Sequence, residues 1–336
     1  MKKKLMLGVV VTIAGALTLG GCSSTAPSDN GAAGEDAIEV GFFGFSAANS
    51  FAQGTFLGVE DAAEELGANA TFIDGQFDGQ LQAKQITDAV TSQKYDVIVI
   101  QANDNLVVQG PLQQAADAGI TVVVEFVAVG PDFESFEPQV DGAISIVDSP
   151  VVNGTTLGEM AVEACGEVDG TCKVAYMEGS PALPLDNART NAVKAAVEAG
   201  SGDIELLPTV TGGYSPDTGR TAFQDITQAN PDVNVVIGSS QAVAGAYLVA
   251  GEGTDIKFIG NGTPQSGVDH VLNGEWFSLY ALDIVKNGYT AASYGIKHAR
   301  GEDVPMSTDE RELAPNNSVG TKDALEAADF TSGYDE

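Results

Sequence analysis

"ITDAVTSQKYDVIVIQANDN" (Ile86–Asn105) is the stretch whose reading decides the fold. It passes from the end of an amphipathic helix, through a short turn carrying Asp96, into the apolar run Val97–Ile100, and stops in a cluster of amides and carboxyls. A strand with apolar β-branched side chains on both faces must be covered on both faces, the condition of a strand inside a parallel sheet flanked by helices. The pattern returns in "ITQANPDVNVVIGSSQA" (Ile226–Ala242): helix end, short turn with Asp232, apolar strand, polar cluster. Two halves built alike point to two similar α/β lobes facing each other across a cleft lined by the carboxyl ends of their strands.

The alternation extends outward from both stretches. "AIEVGFFGF" is a strand, Ser50–Leu66 a helix, "ATFID" a strand, about Gln80–Thr91 a helix, Leu106–Ala118 a helix and "ITVVVEF" (Ile120–Phe126) a buried strand. It resumes with the strand "CKVAYME" and the helix "LPLDNARTNAVKAAVEAG", then "IELLPTV" and a helix over about Asp217–Ala229. After "VNVVIGS" come the helix "QAVAGAYLVAG", the strand "IKFIGNG", a helix over Gln265–Asn273, the strand "WFSLYALD" and a helix over about Ile284–Arg300. Two domains are expected from 336 residues of this kind.

The N-terminus has a different character. Lys2, Lys3 and Lys4 precede an apolar run, Leu5–Leu19, which ends at "LGGC". The run is short for a bilayer crossing, and small residues ahead of Cys22 suit a signal peptidase. This resembles the bacterial lipoprotein signal, which implies removal of residues 1–21 and acylation of Cys22; a short uncleaved anchor is the alternative. Residues 22–37 carry no large apolar side chain beyond that cysteine and are expected to be a flexible tether. The product would be an extracytoplasmic body anchored to the cell membrane by lipid alone. In an oxidising compartment Cys165 and Cys172 are expected to form a disulfide, two free buried thiols being the alternative.

Composition excludes whole classes of partner. Fifteen basic residues stand against 47 acidic ones, a formal charge of −32. Such a chain has too few cations to neutralise phosphates, so nucleic acid is not expected as a partner. The acidic surface reads as a solvated one. His270 and His298 are the only histidines, and neither lies near the cysteines, so no metal site and no cofactor are implied.

Ligands of parallel α/β sheets bind beyond the carboxyl ends of strands. The candidates there are Phe45, Ser46, Asn49 and Phe51; Gln101, Asn103 and Asp104; Glu125 and Phe126; Asp148; Tyr214; Ser240 and Gln241; and Asn261. Amides and carboxyls can pair with vicinal hydroxyls, and aromatic faces can cover a sugar ring. Phe42 and Phe43, inside the first strand, are core.

"AANSFAQGTFLGVEDAAEELGA", "DVIVIQAND", "NARTNAV" and "IGNGTP" occur in an order and spacing that resembles the type I periplasmic binding proteins of sugar ABC importers, the ribose-binding group above all. The likeness covers roughly residues 38–305. It implies two Rossmann-like lobes joined by a three-segment hinge. The first lobe would hold residues 38–144 and 283–308, the second 145–282 and 309–330. It implies that Asn49 and Phe51 meet the ligand, that Gln101 offers an amide, that Arg189 reaches hydroxyls from the second lobe, and that Tyr214 replaces an aromatic. Ser240 and Asn261 stand at positions commonly Asn and Asp. Arg189 has a bland reading too, an ion pair with Asp186 three residues before it.

The sequence departs from that pattern where the group carries Asp-Arg: Phe126 and Val127 stand there, with Glu125 just before. Together with Asn261 and Leu282 this implies a less charged, more apolar cleft than a pentose site, suited to a deoxy or methylated sugar, a cyclitol or a small ring compound. The resemblance implies a monomeric substrate-binding subunit that delivers its solute to an ABC permease and its ATPase. A binding lobe serving a receptor kinase would look the same. An enzyme is disfavoured: "GFSAA" lacks the final Gly of a nucleophile elbow, and His298 lies late in a long amphipathic helix.

Overall fold

A computed structural model of the chain describes residues 37–335; the expected signal, the expected lipidation site Cys22 and nearly all of the expected tether lie outside them. In the first half β1 (Glu39–Gly44), α1 (Ser50–Glu65), β2 (Asn69–Asp74), α2 (Gly79–Ser92), β3 (Val97–Ile100), α3 (Gln109–Asp117), β4 (Thr121–Phe126) and β5 (Ile144–Val147) follow one another. Next come α4 (Pro150–Cys165), β6 (Cys172–Glu178), α5 (Pro184–Ala199), β7 (Ile204–Leu206), β8 (Val210–Thr211), α6 (Pro216–Ala229) and β9 (Val235–Ser239). Then α7 (Ser240–Ala250), β10 (Lys257–Asn261), α8 (Gln265–Leu272) and β11 (Ser278–Tyr280) complete the second lobe's main run. The end of the chain supplies α9 (Ile284–Ala299), β12 (Ser307–Asp309), β13 (Val319–Gly320) and α10 (Lys322–Ala327).

Two sheets result. The first has the order β12-β5-β4-β3-β1-β2 and is parallel throughout. The second runs β13-β11-β10-β9-β6-β7, with β8 also on β6, and is parallel except where β13 meets β11. This is the two-lobed α/β fold the alternation predicts. The chain passes between lobes after β5, after β11 and after β12. Strand β5 pairs with β4 in the first sheet, so the first passage follows Val147 rather than residue 144.

Strand β5 and helix α4 have no counterpart in the elements read from sequence, for a physical reason. Helix α4 has a cap, Ser149, whose hydroxyl accepts from the Val152 N–H at 3.2 Å, and Pro150 opens its first turn. But Asn153, Gly154, Leu157, Gly158, Met160, Ala161, Ala164 and Cys165 are all buried, so the helix shows little of the polar face that normally betrays one. Its last residue is joined to the first of β6 by the disulfide Cys165–Cys172, the pairing expected.

Glycine sets how closely the helices pack. In the first lobe α1 lies so near α9 that a Cβ on Gly58 would fall 1.8 Å from the Val285 carbonyl oxygen, and one on Gly288 2.0 Å from that of Thr55. The second lobe repeats the device: a Cβ on Gly219 would meet the Ala242 oxygen at 2.1 Å, and one on Gly245 the Pro216 oxygen at 1.9 Å. These contacts are with backbone, which cannot step aside as a side chain can.

Gly58→Ala is therefore expected to destabilise the protein despite the better helix propensity of alanine, by about 1–3 kcal/mol net. A lower Tm in differential scanning calorimetry checks this. The exposed, uncrowded Gly110→Ala, also helical, should leave Tm unchanged or raise it slightly.

Candidate binding cleft

The carboxyl ends of the two sheets face one another, and a cavity of about 580 Å³, counting its open mouth, lies between them. Phe45, Asn49, Phe51, Phe77 and Phe126 line it from the first lobe. Leu183, Leu185, Arg189, Tyr214, Gln241, Asn261 and Gly262 line it from the second, Leu282 from the second passage and Tyr334 from the C-terminal segment.

The first-lobe wall is aromatic. Phe126 meets Phe45 edge to face at 5.9 Å and Phe51 at 4.9 Å between ring centroids. Phe126 holds a left-handed backbone, φ +68°, which is costly for a residue with a large side chain. Its N–H donates to Glu310 Oε1 at 3.0 Å, and its carbonyl accepts from the Asp148 N–H at 2.7 Å, which hold it in place. The mouth is bridged by Phe77 and Tyr214, stacked at 6.1 Å with 11° between planes, and by Gln241 Nε2 donating to Ser50 Oγ at 3.1 Å. Both contacts join one lobe to the other, so this is a closed arrangement.

The second-lobe wall is polar and internally wired. Arg189, only 4% exposed, donates from Nε to Asn153 Oδ1 and from Nη1 to Asp186 Oδ1, both at 2.8 Å. Nη1 also reaches the Tyr214 hydroxyl at 3.3 Å, which itself donates to Asp186 Oδ1 at 2.5 Å. Asn153 Nδ2 donates to Asp148 Oδ2 and to Asn261 Oδ1, each at 3.1 Å. Tyr280 donates to the other Asp148 oxygen at 2.7 Å. Arg189 thus fills both readings given to it: it pairs with Asp186 and lines the cavity. The pair is buried rather than on the surface, so Arg189→Ala should cost about 3–5 kcal/mol by stranding Asp186.

Phe45, Asn49, Phe51, Phe126, Arg189, Tyr214, Gln241 and Asn261, all expected in the cleft, line it. Seven expected residues do not; one of them, Asn103, is buried and donates to the Phe45 carbonyl at 3.1 Å. Ser46 holds its own turn by accepting from the Ala48 N–H, and Asp104 accepts from Leu106 and Val107 in the turn before α3. Gln101 is fully buried beneath the cleft, donating to Thr55 Oγ1 at 3.0 Å. Ser240 donates to the Gly262 carbonyl at 2.6 Å. Asp148 stands behind Asn153, and Glu125 is buried beside Glu310. Proximity to a strand end selects all of these; which way each side chain points is decided by pleat and partner.

Phe77 follows β2 and was within reach of the same strand-end rule. Leu183 and Leu185 look like ordinary core at a helix start. Tyr334 carries no local signal; its hydroxyl accepts from the Thr263 N–H at 3.1 Å and its carbonyl from Gln265, while its side chain packs on Gly54 of α1. No group of residues suited to a metal ion occurs among the described residues.

Residues 40–303 match the family model described as the periplasmic binding protein domain, and the chain belongs to that family. Its fold matches an ABC transporter solute-binding protein of Mycobacterium smegmatis with bound glycerol, at 24% identity and TM-score 0.69, covering 89% of this chain and 99% of the other. A solute-binding protein of Agrobacterium vitis bound to α-D-tagatopyranose aligns at 23% identity and TM-score 0.71, over 89% and 100%. A second Mycobacterium smegmatis structure, in complex with β-D-fucofuranose, aligns at 21% and TM-score 0.69, over 80% and 88%. No curated protein matches the chain in sequence.

Behind the aromatic wall the carboxyls of Glu125 and Glu310 are both fully buried. Burial pushes Glu125 up from 4.5 to about 8, and burial together with the neighbouring Glu125 pushes Glu310 well above the usual range. Burial likewise raises Asp148 to about 6, against the opposing pull of Tyr280, Arg189 and Asn153. All three bind protons more tightly folded than unfolded, so stability falls as pH rises from the ordinary carboxylate range through about 8. Glu310→Gln keeps an acceptor for Phe126 and removes one charge. Its Tm should exceed that of the parent at pH 8 and approach it at pH 5, read by circular dichroism melts across that range.

Proposed function

We propose that the chain is the solute-binding subunit of an ABC importer, extracytoplasmic and held to the cell membrane through acylated Cys22, that captures a small sugar or sugar-like solute between its lobes. One observation carries this reading: the cavity lies between the facing carboxyl ends of two α/β lobes, with rings on one side and amides and a guanidinium on the other. Such a site grips a small ring and completes itself only when the lobes close, which is what a carrier that hands solute to a permease requires. The three passages between lobes supply the hinge. Relatives of the same fold hold glycerol, tagatopyranose and fucofuranose, small and neutral like the solute proposed. The family is one of binding proteins, and no catalytic grouping is invoked. The protein acts as a monomer and passes solute to a permease driven by an ATPase.

Purified protein is expected to show a rise in Tm with a member of a panel of sugars, deoxysugars and polyols. Ligand at 100 times its Kd stabilises by about 2.7 kcal/mol, which such a screen resolves. A shift with an amino acid or nucleoside and none with any sugar or polyol would sink the carbohydrate reading.

A further inference from the structure

The C-terminal segment engages both lobes. After α10 the chain leaves the second lobe's core, against which Phe330 packs, and reaches the cavity at Tyr334. Toward the second lobe the segment is hydrogen-bonded. The Ser332 N–H donates to Gln265 Oε1 at 2.8 Å, the Gln265 N–H to the Tyr334 carbonyl at 2.9 Å, and the Thr263 N–H to the Tyr334 hydroxyl at 3.1 Å. At the start of α8, Asp335 Oδ1 accepts from the Ser266 hydroxyl at 2.6 Å and from its N–H at 3.1 Å. Toward the first lobe the segment packs. A Cβ on Gly54 of α1 would fall 2.8 Å from Tyr334 Cβ and 2.9 Å from its Cγ, and one on Gly333 would fall 2.7 Å from Val285 Cγ2 of α9. Helices α1 and α9 both cover the first sheet. Gly54 is thus a notch in α1, filled by the stem of a buried tyrosine that the second lobe holds.

Resting on the reading of this cleft as a solute site, we propose that residues 331–335 are a latch carried by the second lobe, and that Tyr334, seated in the Gly54 notch, holds the lobes closed over the solute. The division of bonding carries this. Hydrogen bonds to Thr263, Gln265 and Ser266 fix the segment to the second lobe, so it travels with that lobe when the hinge opens. Apolar packing on α1 and α9 is non-directional and is made or broken as the lobes meet or part. A contact present in one of two states shifts the equilibrium toward that state by its own free energy, and no more. Tyr334 also lines the cavity, so one ring meets solute and first lobe together and links occupancy to closure. The latch is separate from the bridges at the mouth, Phe77 on Tyr214 and Gln241 on Ser50.

Gly54 is not among the residues lining the cavity, which lets a latch be told from a wall. Titration calorimetry on the purified full chain, with D-tagatose, D-fucose, D-allose, myo-inositol and glycerol as probes, makes the test. For a probe that binds the parent, Gly54→Ala, whose methyl unseats Tyr334, should raise Kd by about tenfold or more, although alanine suits a helix better than glycine. Tyr334→Ala should weaken binding at least as much, and Tyr334→Phe, which keeps the ring in the notch, should recover most of the loss. In a Tyr334→Gly background Gly54→Ala should add little, because the atoms its methyl meets are gone. A Kd unchanged by Gly54→Ala overturns the latch and leaves Tyr334 a wall of the cavity, with sugar capture standing. A full further loss from Gly54→Ala in the Tyr334→Gly background places its effect within α1 and also overturns the latch. Binding of none of the probes by the parent removes the sugar reading and the latch that rests on it.

Discussion

The buried carboxylate of Asp148 is the constraint on which the cleft depends. It sits where the chain leaves the first sheet and accepts from Tyr280 of the second sheet and Asn153 of α4. An ionised carboxylate only accepts, so it dictates which way Asn153 lies, and through Asn153 it dictates both Arg189 and Asn261. One charge behind the wall thus orients the hydrogen-bonding groups on its surface. The buried Arg189–Asp186 pair adds little net stability of its own in such a setting, but neither partner can be withdrawn without stranding the other.

The aromatic wall is tied to the hinge as firmly. Glu310 follows β12 at the third passage between lobes, and it accepts from the N–H of Phe126, whose backbone is left-handed. Asp148, at the first passage, donates its own N–H to the Phe126 carbonyl. The residue around which Phe45 and Phe51 pack is therefore held by two of the passages between lobes. Movement of either passage acts on the ring that a bound solute would touch. The buried pair Glu125 and Glu310 behind it is tolerated because burial and mutual repulsion favour a neutral carboxyl; two buried charges side by side would not be.

Much of this was legible in the chain. The apolar runs Val97–Ile100 and Val235–Ile237 became central strands, and Asn49, Phe51, Arg189, Tyr214 and Asn261 reached the cavity from the places their motifs suggest. What could not be read has definite causes. Helix α4 is buried along so much of its surface that it lacks a contrasting face, and β5 joins the first sheet only by pairing with β4 and β12. Gln101 follows β3 and Glu125 stands beside Phe126 at the end of β4, yet the side chains of Gln101 and Glu125 are buried beneath the cleft instead of lining it. Tyr334 arrives from the far end of the chain.

The sequence by itself determined the elements, their two-fold repetition and the chemistry available at the strand ends, because periodicity and local turn chemistry are properties of neighbouring residues. Tertiary structure alone decided which of those end residues see solute and which way each amide faces. That choice rests on contacts between residues distant along the chain: Asp148 with Tyr280, Asn153 with Asn261, Phe126 with Glu310. A hydrogen bond has a direction, and the partner that sets it is identified only once the two lobes have been brought together.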